Sequence, residues 1–174
     1  MKTCSKCIYS EKVPGISFND EGVCSYCLQI DAISATFKTG TEEGKEKFLD
    51  IVSDIKIKGM GKKYDVIIGV SGGTDSCYML YLAIKLGLRP LAVHYDNTWN
   101  TSIATENIRK VTTKLNIDLY THVVNNKESD DIFKSFFLAS VPEIDGPTDI
   151  ALAEVMYRAA SKYNIKYVFE GHSF

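Results

Sequence analysis

The sequence predicts an α/β fold, a parallel sheet with helices on both faces, preceded by a small zinc-ribbon-like module. Three observations predict it. From residue 65 onward, apolar runs of strand length alternate with stretches of helical period. The first such run passes through serines and glycines directly into a helical pattern, the layout of a strand–loop–helix anion cradle. Four of the five cysteines stand as two C-x2-C pairs near the amino terminus. With 174 residues, 45% of them hydrophobic, the chain has room for one such domain and a small appendage.

The first element is a Cys4 module over 1–30. Cys4 and Cys7 are followed, after sixteen intervening residues, by Cys24 and Cys27. Each pair bends the chain so that two thiolates reach one tetrahedral ion. Pro14-Gly15 and Asn19-Asp20-Glu21-Gly22 carry turn signals between them. About thirty residues cannot build a sufficient hydrophobic core, so a metal is the natural staple. The paired knuckles favour structural Zn²⁺, with a redox pair or an iron–sulfur cluster as alternatives for four cysteines. Four sulfur ligands leave no open position for chemistry at such a zinc.

Residues 31–62 read as a helical linker with loop interruptions; Phe48, Leu49, Ile51, Val52 and Ile55 fall at helical spacing. Lys56, Lys58, Lys62 and Lys63 read as a solvated face rather than a phosphate track. The α/β domain occupies 63–174. Its strands are expected at 65–70, 90–95, 119–124 and 166–170, and its helices near 76–86, 101–115, 130–139 and 148–163. Ligands in such sheets sit beyond the carboxyl ends of the strands.

The stretch Val70-Ser71-Gly72-Gly73-Thr74-Asp75-Ser76 carries the chemistry. Helix-start N–H groups lack intrahelical partners, the serines add donors, and the glycines let backbone approach phosphate. It is not a Walker loop, because no lysine follows Thr74, and the spacing from Gly69 does not fit a dinucleotide fingerprint. Beyond the second strand, Asp96 reads as a ribose or metal contact, or as the cap of the next helix. Trp99 reads as a substrate platform or a core plug, with Asn100 beside it, and His94 as a satisfied core histidine. Cys77 reads as core packing, and Asp149 as a substrate contact or a helix cap. Gly171 allows close backbone approach at the end of the last strand, and His172 falls where catalysis is expected. A doubly wound domain seldom stops at a strand's carboxyl edge, so the sequence reads as the amino-terminal part of a longer protein.

A net charge of −2 offers no basic footprint for nucleic acid, which is therefore not an expected partner. No run reaches membrane-span length and the amino terminus has no apolar leader core, so a cytoplasmic protein with no membrane partner is expected. The sequence assigns no oligomeric state.

The S-G-G-x-D-S segment after a buried strand resembles the PP-loop of the ATP pyrophosphatase superfamily, whose fold is adenine nucleotide alpha hydrolase-like. The wider set of Cys4/Cys7/Cys24/Cys27, Ser71–Ser76, Asp96-Asn97-Thr98-Trp99-Asn100, Pro147-Thr148-Asp149 and Glu170-Gly171-His172-Ser173 is similar to the N-acetyl sugar amidotransferases of surface-polysaccharide (lipopolysaccharide) synthesis. That resemblance implies an enzyme that uses ATP to adenylate the acetamido oxygen of a nucleotide-linked sugar. Ammonia from a partner glutaminase subunit would then form the acetamidino group with release of AMP. It implies ATP and Mg²⁺ as well as Zn²⁺, with Asp75 on the metal and Val70 to Ser76, Asp96 and Gly171 on the nucleotide. Asp75 and His172 become the expected catalytic residues, and Trp99, Asn100 and Asp149 the substrate side. The rival readings are a tRNA thiolase of the same superfamily, which needs sulfur-carrying cysteines, and a non-catalytic nucleotide-binding module.

Overall fold

The computed structural model describes residues 1–171. The chain forms two compact units, Met1–Ile51 and a second beginning at Val52.

In the first unit, two loops are pinched by antiparallel bridges between Thr3 and Ser10 and between Phe18 and Cys24. Helix α1 (Ser25–Phe37) starts directly after Cys24 and ends at Lys38, whose left-handed backbone (φ 55°) lets its N–H reach Ser34 O. Helix α2 (Glu42–Lys58) opens on Glu42 and Glu43 and closes on Lys56 and Lys58, charges that complement its dipole at both ends. It starts in the first unit and ends in the second.

The second unit alternates as the sequence predicts: β1 (Val66–Gly69), α3 (Thr74–Lys85), β2 (Pro90–Asp96), α4 (Ser102–Leu115), β3 (Leu119–Val123), α5 (Asn126–Leu138), α6 (Gly146–Tyr163) and β4 (Val168–Phe169). The strands are parallel, in the order β3-β2-β1-β4. Strand alternation sends Val66 and Ile68 into one core with Val52 and Ile55 of α2, Leu80 and Ala83 of α3, and Ile108 of α4. Ile67, Leu91 and Val93 enter a second core on the opposite face with Val155, Met156 and Ala159 of α6. A central strand covered on both faces must be apolar at every position, which is why 66–68 reads as an unbroken run. Each fully buried isoleucine or leucine contributes about 1.5–3 kcal/mol of burial free energy.

The amino-terminal edge of the sheet is locked by one ion pair. The Asp65 carboxylate is buried and accepts from Arg89 Nη2 (2.6 Å), Arg89 Nε (3.0 Å) and the Arg89 backbone N–H (2.9 Å). The same guanidinium donates to Gly59 O and Lys62 O, tying the segment after α2 to the sheet. Three of the four lysines of that region are engaged: Lys58 with Asp54, Lys63 with Asp118, and Lys62 with Asn164 O.

Several helix starts differ from the sequence expectation. Helix α5 begins at Asn126 rather than 130, because the Asn125 side chain accepts from the Lys127 N–H (3.2 Å) and caps a turn earlier. Helix α6 begins at Gly146 rather than 148, since Pro147 is tolerated in a first turn where its missing N–H costs nothing. Helix α3 begins at Thr74, two residues before 76. Among the described residues, no helix is long and apolar enough to cross a membrane.

Candidate functional site

The chain runs outward from β1 through β2 to β3, then returns to place β4 on the other side of β1. The connection leaving β1 runs toward β2 while β4 pairs on β1's other side, so a crevice is expected at the carboxyl ends of β1 and β4. A cleft of about 250 Å³ lies there, lined by Gly69, Ser71, Asp75, Ser76, Glu170 and Gly171 over a floor of Met79, Leu152, Met156 and Phe169. At Gly69 a Cβ would stand 3.0 Å from Met156 Sδ, so a side chain there would press on the methionine in the cleft floor.

The loop after β1 is held from several sides. Val70 is buried and donates its N–H to Val93 O (2.8 Å). Ser71 and Gly73 turn their N–H groups toward hydroxyls at long range, Ser76 Oγ at 3.4 Å and Ser71 Oγ at 3.5 Å. Ser76 Oγ itself donates to Gly73 O (3.3 Å). Gly73 is the N-cap of α3, in extended conformation and with no side-chain cap. The unpaired N–H groups and positive dipole end of this twelve-residue helix therefore lie where the cleft, lined by Ser71, Asp75 and Ser76, meets a second groove lined by Gly72, Gly73 and Thr74. Gly72 has a role that spacing alone did not reveal. Its φ is +80°, and a Cβ would lie 2.2 Å from Ala104 O of α4, so it lets the loop seat on that helix.

The expected site residues divide into two groups. Ser71, Asp75, Ser76 and Gly171 come together in the cleft. Asp75 lies in the first turn of α3, exposed, and a Cβ at Gly171 would stand 4.0 Å from its own Cβ. Thr74 faces a separate groove with Gly72, Gly73, Cys77, Asn107, Lys110 and Lys114. Cys77, expected to be core packing, is only half-buried, and burial raises its thiol pKa.

Asp96, Trp99 and Asn100 do not line the cleft. Asp96 does not cap the next helix: its Oδ1 accepts from Thr98 N (2.8 Å) and Asn100 Nδ2 (3.2 Å), while Thr101 caps α4 through Ala104 N (3.2 Å). Trp99 is half exposed and packs on Phe133 of α5, ring centres 4.4 Å apart. Asp149 is not the cap of α6 either; Asp145 holds that position, without a side-chain bond, and Asp149 sits exposed within the first turn. His94 is the satisfied core histidine expected, with Nδ1 2.8 Å from Val70 O. His172 lies outside the described residues. Glu170 carries no role of its own in the sequence reading beyond its place in the Glu170–Ser173 motif, yet it lines the cleft with Asp75.

In the first unit, the Sγ atoms of Cys4, Cys7, Cys24 and Cys27 all lie within 4.8 Å of one another. Cys4 and Cys27 stand 4.0 Å apart, and Cys7 and Cys24 3.7 Å. Zn–S bonds of about 2.3 Å in a tetrahedron place sulfurs about 3.8 Å apart. An iron–sulfur cube interposes its own atoms between the cysteines and needs wider spacing. Backbone N–H groups of Lys6 (3.3 Å) and Cys24 (3.2 Å) donate to Cys4 Sγ, and that of Tyr9 (3.5 Å) to Cys7 Sγ. Burial works against ionising Cys4, but the backbone donors of Lys6, Cys24 and Cys7 outweigh it and bring the thiol down to about 6. Burial and the neighbouring thiols push Cys27 up to about 12. Four thiols crowded this closely cannot all ionise without a cation among them.

A parallel sheet with a Ser-Gly-Gly-Thr-Asp-Ser loop after its first strand is the arrangement of the PP-loop ATP pyrophosphatase superfamily. Residues 65–172 match the model of the phosphoadenosine phosphosulfate reductase domain, and the chain belongs to that family. An uncharacterized protein of Methanocaldococcus jannaschii is 29% identical over 97% of the chain, which spans 58% of that relative's length. Solved structures share the fold. NMN synthetase from Francisella tularensis is 24% identical, covering 76% of this chain and 54% of its own, with TM-score 0.50. The NH3-dependent NAD synthetase of Campylobacter jejuni is 19% identical, covering 74% and 55%, with TM-score 0.51. The U34-tRNA thiolase NcsA of Methanococcus maripaludis, solved with its [4Fe-4S] cluster, is 18% identical, covering 99% and 55%, with TM-score 0.50.

Proposed function

We propose that this chain is the ATP-binding part of an amidotransferase that converts an acetamido group of a nucleotide-linked sugar into an acetamidino group. The observation that carries the ATP-dependent half is the cleft itself, where loop N–H groups, two serine hydroxyls and Asp75 meet at the switch point. The sugar half is supported by the residues that resemble sugar amidotransferases, Asp96 to Asn100 and Glu170 to Ser173.

The amide oxygen attacks the α-phosphorus of ATP, breaking the α–β bond and releasing pyrophosphate. Ammonia then adds to the activated carbon, loses a proton, and expels AMP carrying the former amide oxygen. Ser71, Gly73 and Ser76 hold the departing pyrophosphate with N–H and O–H donors, stabilising charge as it develops. Asp75, with Glu170 across the same cleft, offers the oxygen ligands that suit Mg²⁺, which when bound supplies further charge neutralisation. Holding adenylate and ammonia together makes the second step effectively intramolecular. The Cys4 module would hold Zn²⁺ as a structural ion, outside this chemistry. A glutaminase subunit supplies the ammonia, and a cytoplasmic location suits the free thiols.

The test is product analysis with the full-length enzyme. AMP and pyrophosphate should appear only when an acetamido sugar nucleotide and ammonia are both present. ADP release, or AMP formation with tRNA and a sulfur donor instead, would replace this reading, the latter with tRNA thiolation. Cys77, the one cysteine of this sequence outside the Cys4 module, has a thiol held above its ordinary pKa by burial, which does not suit it to carry sulfur itself.

A further inference from the structure

The loop's donors face the cleft only if its peptide planes are turned the right way, and two side chains outside the loop turn them. In a planar trans peptide, the carbonyl of one residue and the N–H of the next point in opposite directions. His94 Nδ1 stands 2.8 Å from Val70 O, and a carbonyl only accepts, so Nδ1 carries the proton and donates. Pinning that carbonyl against β2 turns the Ser71 N–H the other way. Asn107 Nδ2, on α4, donates to Gly72 O at 3.1 Å. Pinning that carbonyl likewise turns out the Gly73 N–H. These two N–H groups point toward Ser76 Oγ (3.4 Å) and Ser71 Oγ (3.5 Å), hydroxyls of residues that line the cleft, although Gly73 itself lines the neighbouring groove. Gly72 completes the arrangement, because its positive φ and missing Cβ let the loop lie against Ala104, one turn before Asn107.

We propose that His94 and Asn107 are positioning residues of the phosphate loop: they hold Val70 O and Gly72 O so that Ser71 N–H and Gly73 N–H converge on the anion. Neither touches the ligand. His94 is buried and its ring is fixed in one tautomer by the Val70 carbonyl, with Nε2 left toward Asn100 Nδ2 (3.5 Å). Asn107 lies on the exposed side of α4, so changing it leaves both cores intact. The assignment rests on the phosphate-loop reading but not on the identity of the acceptor substrate.

Binding of inorganic pyrophosphate, Mg·ATP and adenosine to the whole chain tests it, with circular dichroism confirming the fold of each variant. Asn107→Leu removes the donor at nearly constant volume and should weaken pyrophosphate and Mg·ATP about tenfold, the size of one lost charge-assisted bond, while adenosine affinity stays unchanged. Asn107→Gln keeps an amide donor and should recover most of the loss. His94→Gln should bind better than His94→Phe for the same reason. In spectra of the wild type, pyrophosphate should shift the Ser71 and Gly73 amide protons downfield, and Asn107→Leu should abolish the Gly73 shift. Wild-type affinity in Asn107→Leu, or equal losses for adenosine and ATP, would overturn the proposal. A wild-type chain that takes up neither pyrophosphate nor Mg·ATP would instead remove the phosphate-loop reading, and this one with it.

Discussion

The two units of this chain stay folded by different means. The sheet domain buries two continuous apolar layers, one on each face of β1 and β2, and their burial carries it. The cysteine module has no such layer. Its buried residues are Cys4, Cys24 and Cys27, with Cys7, Ile16, Phe18 and Val23 packed around them. A centre made of thiols coheres through what the thiols bind, so a metal ion held there would take the place of a hydrophobic core. The comparison teaches where each unit is vulnerable: the module at its ligands, the sheet at its buried charge and its tight turn.

The largest effect should come from removing the metal. A structural four-thiolate zinc site supplies about 10–16 kcal/mol of binding free energy, so chelation or Cys24→Ser should unfold the module outright. Limited proteolysis should then cut within the first fifty or so residues while the sheet domain persists. Simultaneous loss of both units would erase the contrast, and a metal assay returning iron rather than about one zinc per chain would change the ion.

In the sheet domain, Arg89→Met should cost about 3–5 kcal/mol in urea unfolding, because it leaves the Asp65 carboxylate, 2% exposed, without its cation. Adding Asp65→Asn should restore part of the loss. If Arg89→Met alone is nearly neutral, the ion pair does not hold the lower edge of the sheet.

Gly72→Ala comes next, at about 1–3 kcal/mol for forcing a side chain into a left-handed turn against the α4 backbone. Its nucleotide affinity should fall with its stability, in contrast to Asp75→Ala, which should weaken Mg·ATP about tenfold with little change in stability because Asp75 is exposed. Equal stability losses in both would remove the distinction between loop scaffold and ligand contact.

The smallest effect is a pH dependence. Hydrogen bonds from Tyr64 and Lys63 hold the Asp118 carboxyl below its ordinary value. A carboxylate with a lowered folded pKa contributes fully above its unfolded value near 3.9 and loses that contribution as pH falls through the folded value. Asp118→Asn should therefore show a shallower loss of stability below about pH 4 than the wild type, while the two curves run parallel above it. Identical slopes would mean the pair adds nothing.

Much was legible before any coordinates. The 66–68 run announced a strand buried on both faces, and the C-x2-C pairs announced a shared centre, because both signals are local. Helix starts were less legible. Asn125 and Asp145 begin helices that apolar spacing placed later, since the first turn of a helix need not contribute to its buried face. Asp96 and Asp149 illustrate a further gap. A polar residue near a helix start looks like a cap, but the neighbour that reaches the N–H, here Thr101 for α4, is chosen by backbone geometry.

The sequence by itself determined the strand–loop–helix order, the two C-x2-C pairs and the Ser/Gly loop at a helix start, because each depends on residues close together along the chain. Only the tertiary structure decided that β4 returns beside β1, that Glu170 and Gly171 therefore face Asp75, and that His94 and Asn107 grip the loop's carbonyls. Those pairings join residues 24 to about 100 positions apart, and no local pattern encodes them; they follow from which faces must be buried when the sheet closes its two cores.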